Sequence, residues 1–322
     1  MSYMKLFSCY GIIYLSVVGW TSNNWLMMWF MMEVCLVLFL GLTTLGGGYG
    51  AVEFMIKYFI VQVFFSLLLL MHLVYYLFNL VYMDNLVVLG FLMVKVGLFP
   101  FHSWLLMLLG KLDWLVFFMV AGPMKLIPVL MLYLTFSLAG LLSVSVGSLI
   151  AGSLGGVNNT SLQKILGYSS MVSLCWVFFS LSVSFLVFLF YFGGYLILTL
   201  WLCVVFKQSG IFYMNQFKLV SWCLSSKIIM FVYVLSISGF PPFLGFMMKW
   251  VVVSSLAFVN MKLMISLMVL FSVVSTYFYL QMFFYVMMVY AGAGKWYGAP
   301  ALGFKGWALI VPAGYIVAFM IY

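Results

Sequence analysis

Apolar runs of roughly the length that a helix needs to cross a bilayer, about 20 residues, recur along this chain from one end to the other. They cover residues 6–20, 25–45, 54–80, 86–109, 114–136, 138–157, 165–185, 186–206, 228–258, 263–288 and 304–322. Such a sequence is expected to fold as an all-α polytopic membrane protein, because a segment in lipid must satisfy its own backbone hydrogen bonds and a helix does so internally. The joints are short and polar or glycine-rich, as in Thr21-Ser22-Asn23-Asn24, Gly46-Gly47-Gly48-Tyr49-Gly50 and Gly155-Gly156-Val157-Asn158-Asn159. None is long enough for an extramembrane domain, so residues 1–322 read as one transmembrane domain. Charged residues make up 5% of the chain, against about 25% in a soluble domain. That excludes soluble, disordered and collagen-like classes.

The stretch 165–206 is long enough to cross twice, turning near Ser184 or at Gly193-Gly194. Lysine placement tests this. With eleven spans, the joints on the N-terminal side carry Lys5, Lys57, Lys111, Lys164, Lys207, Lys218, Lys227, Lys295 and Lys305, and the opposite side carries only Lys262. The positive-inside rule asks for such an imbalance, which supports eleven crossings with the N-terminus inside. The first run reads as a retained helix, since no small-residue cleavage site follows it.

The thirteen basic residues are all lysine, scattered singly, and the formal net charge is +9. Nucleic acid is recognised by clustered basic groups, often arginine, so no such partner is expected. The five cysteines (Cys9, Cys35, Cys175, Cys203, Cys223) form no Cys-x-x-Cys pair and read as buried thiols rather than disulfides or a metal cluster.

Four ionisable residues fall where water should be absent. Glu33 lies near the middle of the second span, Lys95 about ten residues into the fourth, Lys125 within the fifth and Lys249 inside the ninth. Each costs roughly 2.5–3.5 kcal/mol at the bilayer centre, and such residues by default face protein or a water-filled path. An ion pair that merely ties two helices together accounts for Glu33 with one lysine, but not for three lysines. Moving one charge through 100 mV is worth roughly 2.3 kcal/mol, so burial and membrane field are of matching size. The residues suit proton relay.

These spans are also interrupted. Pro100 breaks the fourth, Pro241-Pro242 the ninth, and Lys125 stands between Pro123 and Pro128; proline removes a helix hydrogen bond. Proline-interrupted segments in corresponding places of two half-chains point to a transporter's ion path. Here they are the fourth members of two successive five-helix units, expected at about 1–137 and 138–290, with a final helix at about 304–322.

His102 follows Lys95 by seven residues, two helical turns, and is a candidate relay extension; packing or hydrogen bonding is an equal alternative. Lys164 opens the seventh span behind Thr160 or Ser161, either of which can cap it, and its role is interfacial or relay. Glu53 and Lys57 form an i,i+4 pair that anchors a helix end. Lys111 with Asp113, and Asp84, read as loop charges. His72 and His102 are too far apart in depth for two haem ligands. No phosphate loop, zinc signature or nucleophile constellation is present, and no cofactor is expected in this chain.

Three strings carry a family resemblance: Lys95-Val96-Gly97-Leu98-Phe99-Pro100-Phe101-His102-Ser103-Trp104, Asn159-Thr160-Ser161-Leu162-Gln163-Lys164-Ile165-Leu166-Gly167-Tyr168-Ser169-Ser170, and Gly239-Phe240-Pro241-Pro242-Phe243-Leu244-Gly245-Phe246-Met247-Met248-Lys249-Trp250. Together they resemble the antiporter-like membrane subunits of respiratory complex I, with inverted repeats and discontinuous helices. The bacterial members are longer at the N-terminus, and the animal mitochondrial form matches eleven spans. The resemblance implies proton translocation in the mitochondrial inner membrane, with the N-terminus on the matrix side. NAD, flavin, iron–sulfur clusters and ubiquinone would belong to partner subunits. The partners implied are other complex I subunits, neighbouring antiporter-like chains among them, and lipid. By the same resemblance Glu33 is the membrane glutamate, Lys95 its partner, Lys125 the central connecting lysine, Lys249 the terminal lysine and Lys164 a basic position at its helix start. One departure is local: after Trp104 the family usually has proline and an acid, whereas Leu105-Leu106-Met107 stand here. The rival class is a stand-alone cation/proton antiporter, and a third is a structural subunit with vestigial lysines.

Overall fold

The computed structural model describes residues 2–45, 49–78, 85–135, 138–218 and 224–288. The span expected at 304–322, the triglycine joint, Asp84, Cys223, Lys295, Lys305 and the side chains of Lys218 and Lys227 lie outside that description. The described residues are α-helical almost throughout. In chain order the helices are α1 (Ser2–Thr21), α2 (Trp25–Thr44), α3 (Tyr49–Leu77), α4 (Asn85–Val96), α5 (Ser103–Leu109), α6 (Trp114–Ala121), α7 (Leu126–Thr135), α8 (Leu138–Gly156), α9 (Leu162–Val183), α10 (Phe185–Ser209), α11 (Leu224–Ser238), α12 (Leu244–Phe258) and α13 (Lys262–Met288). Short 3-10 turns lie at Pro123–Lys125 and Met214–Lys218.

Among the described residues, 7 helices are able to cross a membrane by length and composition. Six are α1, α2, α3, α9, α10 and α13, and the seventh is α6 and α7 taken together as Trp114–Thr135. The shorter apolar helices include α4, α11 and α12, which are the arms of the two proline-interrupted runs. The stretch 165–206 does turn at Ser184, whose backbone is extended and whose hydroxyl accepts from the Val187 amide at 3.4 Å to start α10. Gly193 and Gly194 lie inside α10, where a helix interior in apolar surroundings tolerates them and Met248 packs onto Gly194.

The chain divides into two compact units, Met1–Ser148 and Leu149–Tyr322, with α8 running through the boundary. In the first, α7 packs on α1, α2 and α4, while α3 packs on α2, α4 and α5. Phe39, Phe54 and Tyr58 form a ring cluster between α2 and α3, with centroids 5.1–6.1 Å apart. In the second, α12 is central and packs on α9, α10, α11 and α13. Close approach there depends on absent side chains: a Cβ at Gly245 would run into the Ser236 backbone carbonyl, so α12 rests directly on α11.

Interior position separates the helices by role. The most hydrophobic stretch of Trp114–Thr135 is 83% buried and that of Leu162–Val183 is 89%, against 22–44% for the other long helices. An apolar helix that is covered all round faces protein rather than lipid. Lys125 therefore sits on an interior helix.

Candidate functional site

Each unit has its own helix break at its buried lysine, and the two breaks share one backbone device. α4 ends at Val96; Gly97 then takes φ +76, and the Leu98 amide donates back to Met93 O at 3.0 Å. α11 ends at Ser238; Gly239 takes φ +86, and the Phe240 amide donates to Leu235 O at 3.2 Å. A left-handed residue closing a helix in this way is nearly always glycine, because a Cβ is strained there. Proline follows each glycine and prevents the helix from resuming at once, with Phe99-Pro100 as a cis peptide. The second arms begin at Ser103 and Leu244.

In the first unit Lys95, in the last turn of α4, places its ammonium 3.3 Å from Glu33 Oε1 on α2. The Lys95 side chain is 3% exposed and that of Glu33 22%. The separation exceeds the 2.7–2.9 Å usual for a charge-assisted bond, so the pair is loosely closed. Gln62 Nε2 donates to the Lys95 carbonyl at 3.1 Å and covers a backbone acceptor freed by the break. Lys95 and Lys125 line one internal cavity of about 30 Å³, together with Ser16, Cys35, Tyr58 and Gln62. That volume is close to the space one water occupies. Lys125 is buried in the 3-10 turn that joins α6 to α7, its amide bonded to Gly122 O at 3.0 Å.

In the second unit the lysine is on the other arm. Lys249, in α12, reaches back across the break and donates to Ser238 O at 2.7 Å. Gly239 makes room, since a Cβ there would lie 2.6 Å from the ammonium. The ammonium also stands 6.0 Å over the Trp176 ring of α9, and cation–π attraction reaches about that far. A second cavity of about 30 Å³ adjoins it, bounded by α9, α10, α11, α12 and α13.

Glu33 and Lys95 thus meet, and Lys125 joins Lys95 at one cavity, while Lys249 has a cavity of its own. Lys164 stands half-buried in the first turn of α9 and does not line the Lys249 cavity. His102 does not share a helix face with Lys95, because residues 97–102 are not helical and a seven-residue spacing is no longer two turns. It stacks on Phe99 at 6.1 Å and does not line the Lys95 cavity. Ser161 is the residue before α9 but makes no side-chain cap; the Leu162 amide donates instead to Phe212 O at 2.9 Å. Lys111, expected to be a loop charge beside Asp113, pairs with Glu53, which Lys57 also holds at 2.6 Å. Leu105, at the departure from the family pattern, packs over Gly97 and lines the Lys95 cavity.

Gln62, Tyr58 and Ser16 join the Lys95 cavity without having been expected there. A signal for the first two was there: Tyr58 and Gln62 are four apart on one face of α3, and a glutamine inside an apolar run stands out as a buried polar group. Among the described residues, no three His, Cys, Asp or Glu side chains come together as a metal site.

Broken helices around buried ammonium groups, one of them against a carboxylate, define a polytopic helical membrane protein with discontinuous helices at its charged centre. Residues 22–278 match the family model of the NADH:quinone oxidoreductase/Mrp antiporter transmembrane proteins. The chain belongs to that family. NADH-ubiquinone oxidoreductase chain 2 of Locusta migratoria is 29% identical over 301 residues, covering 91% of this chain and 88% of the relative. The chain of the same name from Squalus acanthias is 30% identical over 281 residues, covering 82% and 79%. Among solved structures, a chain of respiratory complex I from Thermus thermophilus superimposes with TM-score 0.76 at 19% identity, covering 99% of this chain and 82% of that one. A chain of the Mrp complex from Dietzia sp. gives 0.70 at 17% identity, covering 83% and 58%. These structural matches concern the fold.

Proposed function

We propose that this chain is a proton-translocating membrane-arm subunit of an NADH:ubiquinone oxidoreductase, the counterpart of chain 2 in its relatives. It lies in the mitochondrial inner membrane, crossing eleven times with the N-terminus on the matrix side. Its helices form two five-helix inverted repeats, about 1–137 and 138–290. NADH oxidation and quinone reduction, with their flavin and iron–sulfur centres, belong to partner subunits, neighbouring antiporter-like chains among them. This chain moves protons.

The observation that carries the proposal is the shared cavity of Lys95 and Lys125, with Lys95 also paired to Glu33. When a charge moves in a neighbouring subunit, the loosely held Glu33–Lys95 pair opens or closes. Closing favours the charged lysine; opening leaves an ammonium in a low-dielectric site, which favours loss of its proton. A water-sized space between Lys95 and Lys125 lets that proton pass along the membrane plane. Lys249 exchanges protons in the second unit.

The stand-alone antiporter remains the competing activity. Gentle solubilisation separates the two. Co-purification in a large complex with flavin and iron–sulfur absorbance is the expected result, whereas sodium-dependent transport by the isolated chain would overturn it.

A further inference from the structure

Resting on the proton-translocation reading, we propose that Tyr195, Tyr279 and Trp176 are positioning residues that hold one ordered water as the proton-exchange partner of Lys249. All line the cavity beside its ammonium, which has room for about one water. Tyr195 is 7% exposed, Tyr279 2% and Trp176 1%. Yet the two phenol oxygens and the indole Nε1 are buried without a hydrogen-bond partner from the protein. Buried polar atoms are nearly always paired, by protein or by water.

Tyr195 lies beside Ser170 and Ser173, and Tyr279 beside Ser169. The serine hydroxyls donate one turn back: Ser169 to Leu166 O at 2.8 Å, Ser170 to Gly167 O at 2.7 Å and Ser173 to Ser170 O at 2.9 Å. A water in the cavity satisfies the three orphaned atoms together. It accepts from the indole N–H and donates to the phenol oxygens, which is the two to four partners a buried water needs. Lys249 is the one charged side chain that lines this cavity. In the exchange step an Nζ–H bond breaks, its electron pair stays on nitrogen, and a new O–H bond forms on the water. The phenol oxygens accept hydrogen bonds from the cation so formed, and the reverse step recharges the amine.

The test uses the assembled complex in sealed vesicles, with acidification driven by NADH. Tyr195→Phe with Tyr279→Phe keeps both rings and removes both hydroxyls; Lys249→Met runs alongside. The expected result is proton translocation slowed about a hundredfold, the lower end of the scale on which positioned proton-transfer groups act, with a larger solvent deuterium effect. Normal translocation in the Phe pair, while Lys249→Met abolishes it, overturns this inference alone. Normal translocation in Lys249→Met overturns the underlying reading. Should the Phe pair fail to assemble, density in a high-resolution map of the native complex decides: a water within hydrogen-bonding distance of both phenols supports the proposal, and its absence overturns it.

Discussion

Lys249 stands on α12 but donates a hydrogen bond to the carbonyl of Ser238, the last residue of α11, at 2.7 Å. Lys95 lies in the last turn of α4. Both ammonium groups therefore sit at the carbonyl end of the arm that precedes a break, one from within that arm and the other from across it. A helix C-terminus carries about half a negative charge and stabilises a cation by roughly 0.3–1 kcal/mol, or about 2 kcal/mol when partly buried.

Removing the carboxylate from the closed pair leaves an ammonium buried against nothing of opposite sign. Breaking one side of a buried pair is worth about 3–5 kcal/mol, and partial exposure of Glu33 puts this case at the lower end. Glu33→Gln should lower the yield of assembled complex on native gels and stop proton translocation. Glu33→Gln with Lys95→Gln should recover assembly but not translocation. A double variant no better assembled than the single one would show that the pair carries little energy.

The two left-handed glycines predict different failures. Alanine at either carries the left-handed strain of about 1–2 kcal/mol. At Gly97 the new methyl meets the Leu105 side chain, which has rotamers to move into; at Gly239 it meets the Lys249 ammonium. Gly239→Ala should therefore lose more translocation than Gly97→Ala at equal assembly, measured as acidification per NADH oxidised. Equal losses would remove the steric link between Gly239 and the lysine.

Two glycines of the second unit form a matched test of packing. At Gly245 a Cβ collides with the Ser236 backbone, which has no rotamer to change, whereas at Gly193 it meets nothing within 4 Å. Gly245→Ala should prevent accumulation of the complex and Gly193→Ala should leave it unchanged, read by immunoblot of native gels. Accumulation of Gly245→Ala would mean that α11 and α12 are able to separate without penalty.

How much of this was legible in the sequence follows from the kind of signal each feature leaves. Within the described residues the apolar runs were, because a bilayer demands length and apolarity that any joint interrupts; the turn at Ser184 and the breaks after Gly97 and Gly239 fell where serine, glycine and proline stood. Glu33, Lys95, Lys125 and Lys249 were visible because charge in an apolar run is conspicuous. Which groups meet them was not. The reach of Lys249 back to Ser238 depends on α12 lying on α11, and Glu53 with Lys111 joins residues 58 apart. The expected relation of His102 to Lys95 assumed an unbroken helix, and the break that made the span interesting also removed that relation.

The central claim is that buried lysines carry the protons, and Lys95→Met tests it most directly, since methionine keeps length and apolar packing without the charge. The measurement is protons translocated per NADH oxidised by the assembled complex in sealed vesicles, with assembly checked on native gels. Translocation lost or sharply reduced in a fully assembled complex is the result expected. An unchanged ratio of protons to NADH would contradict the account.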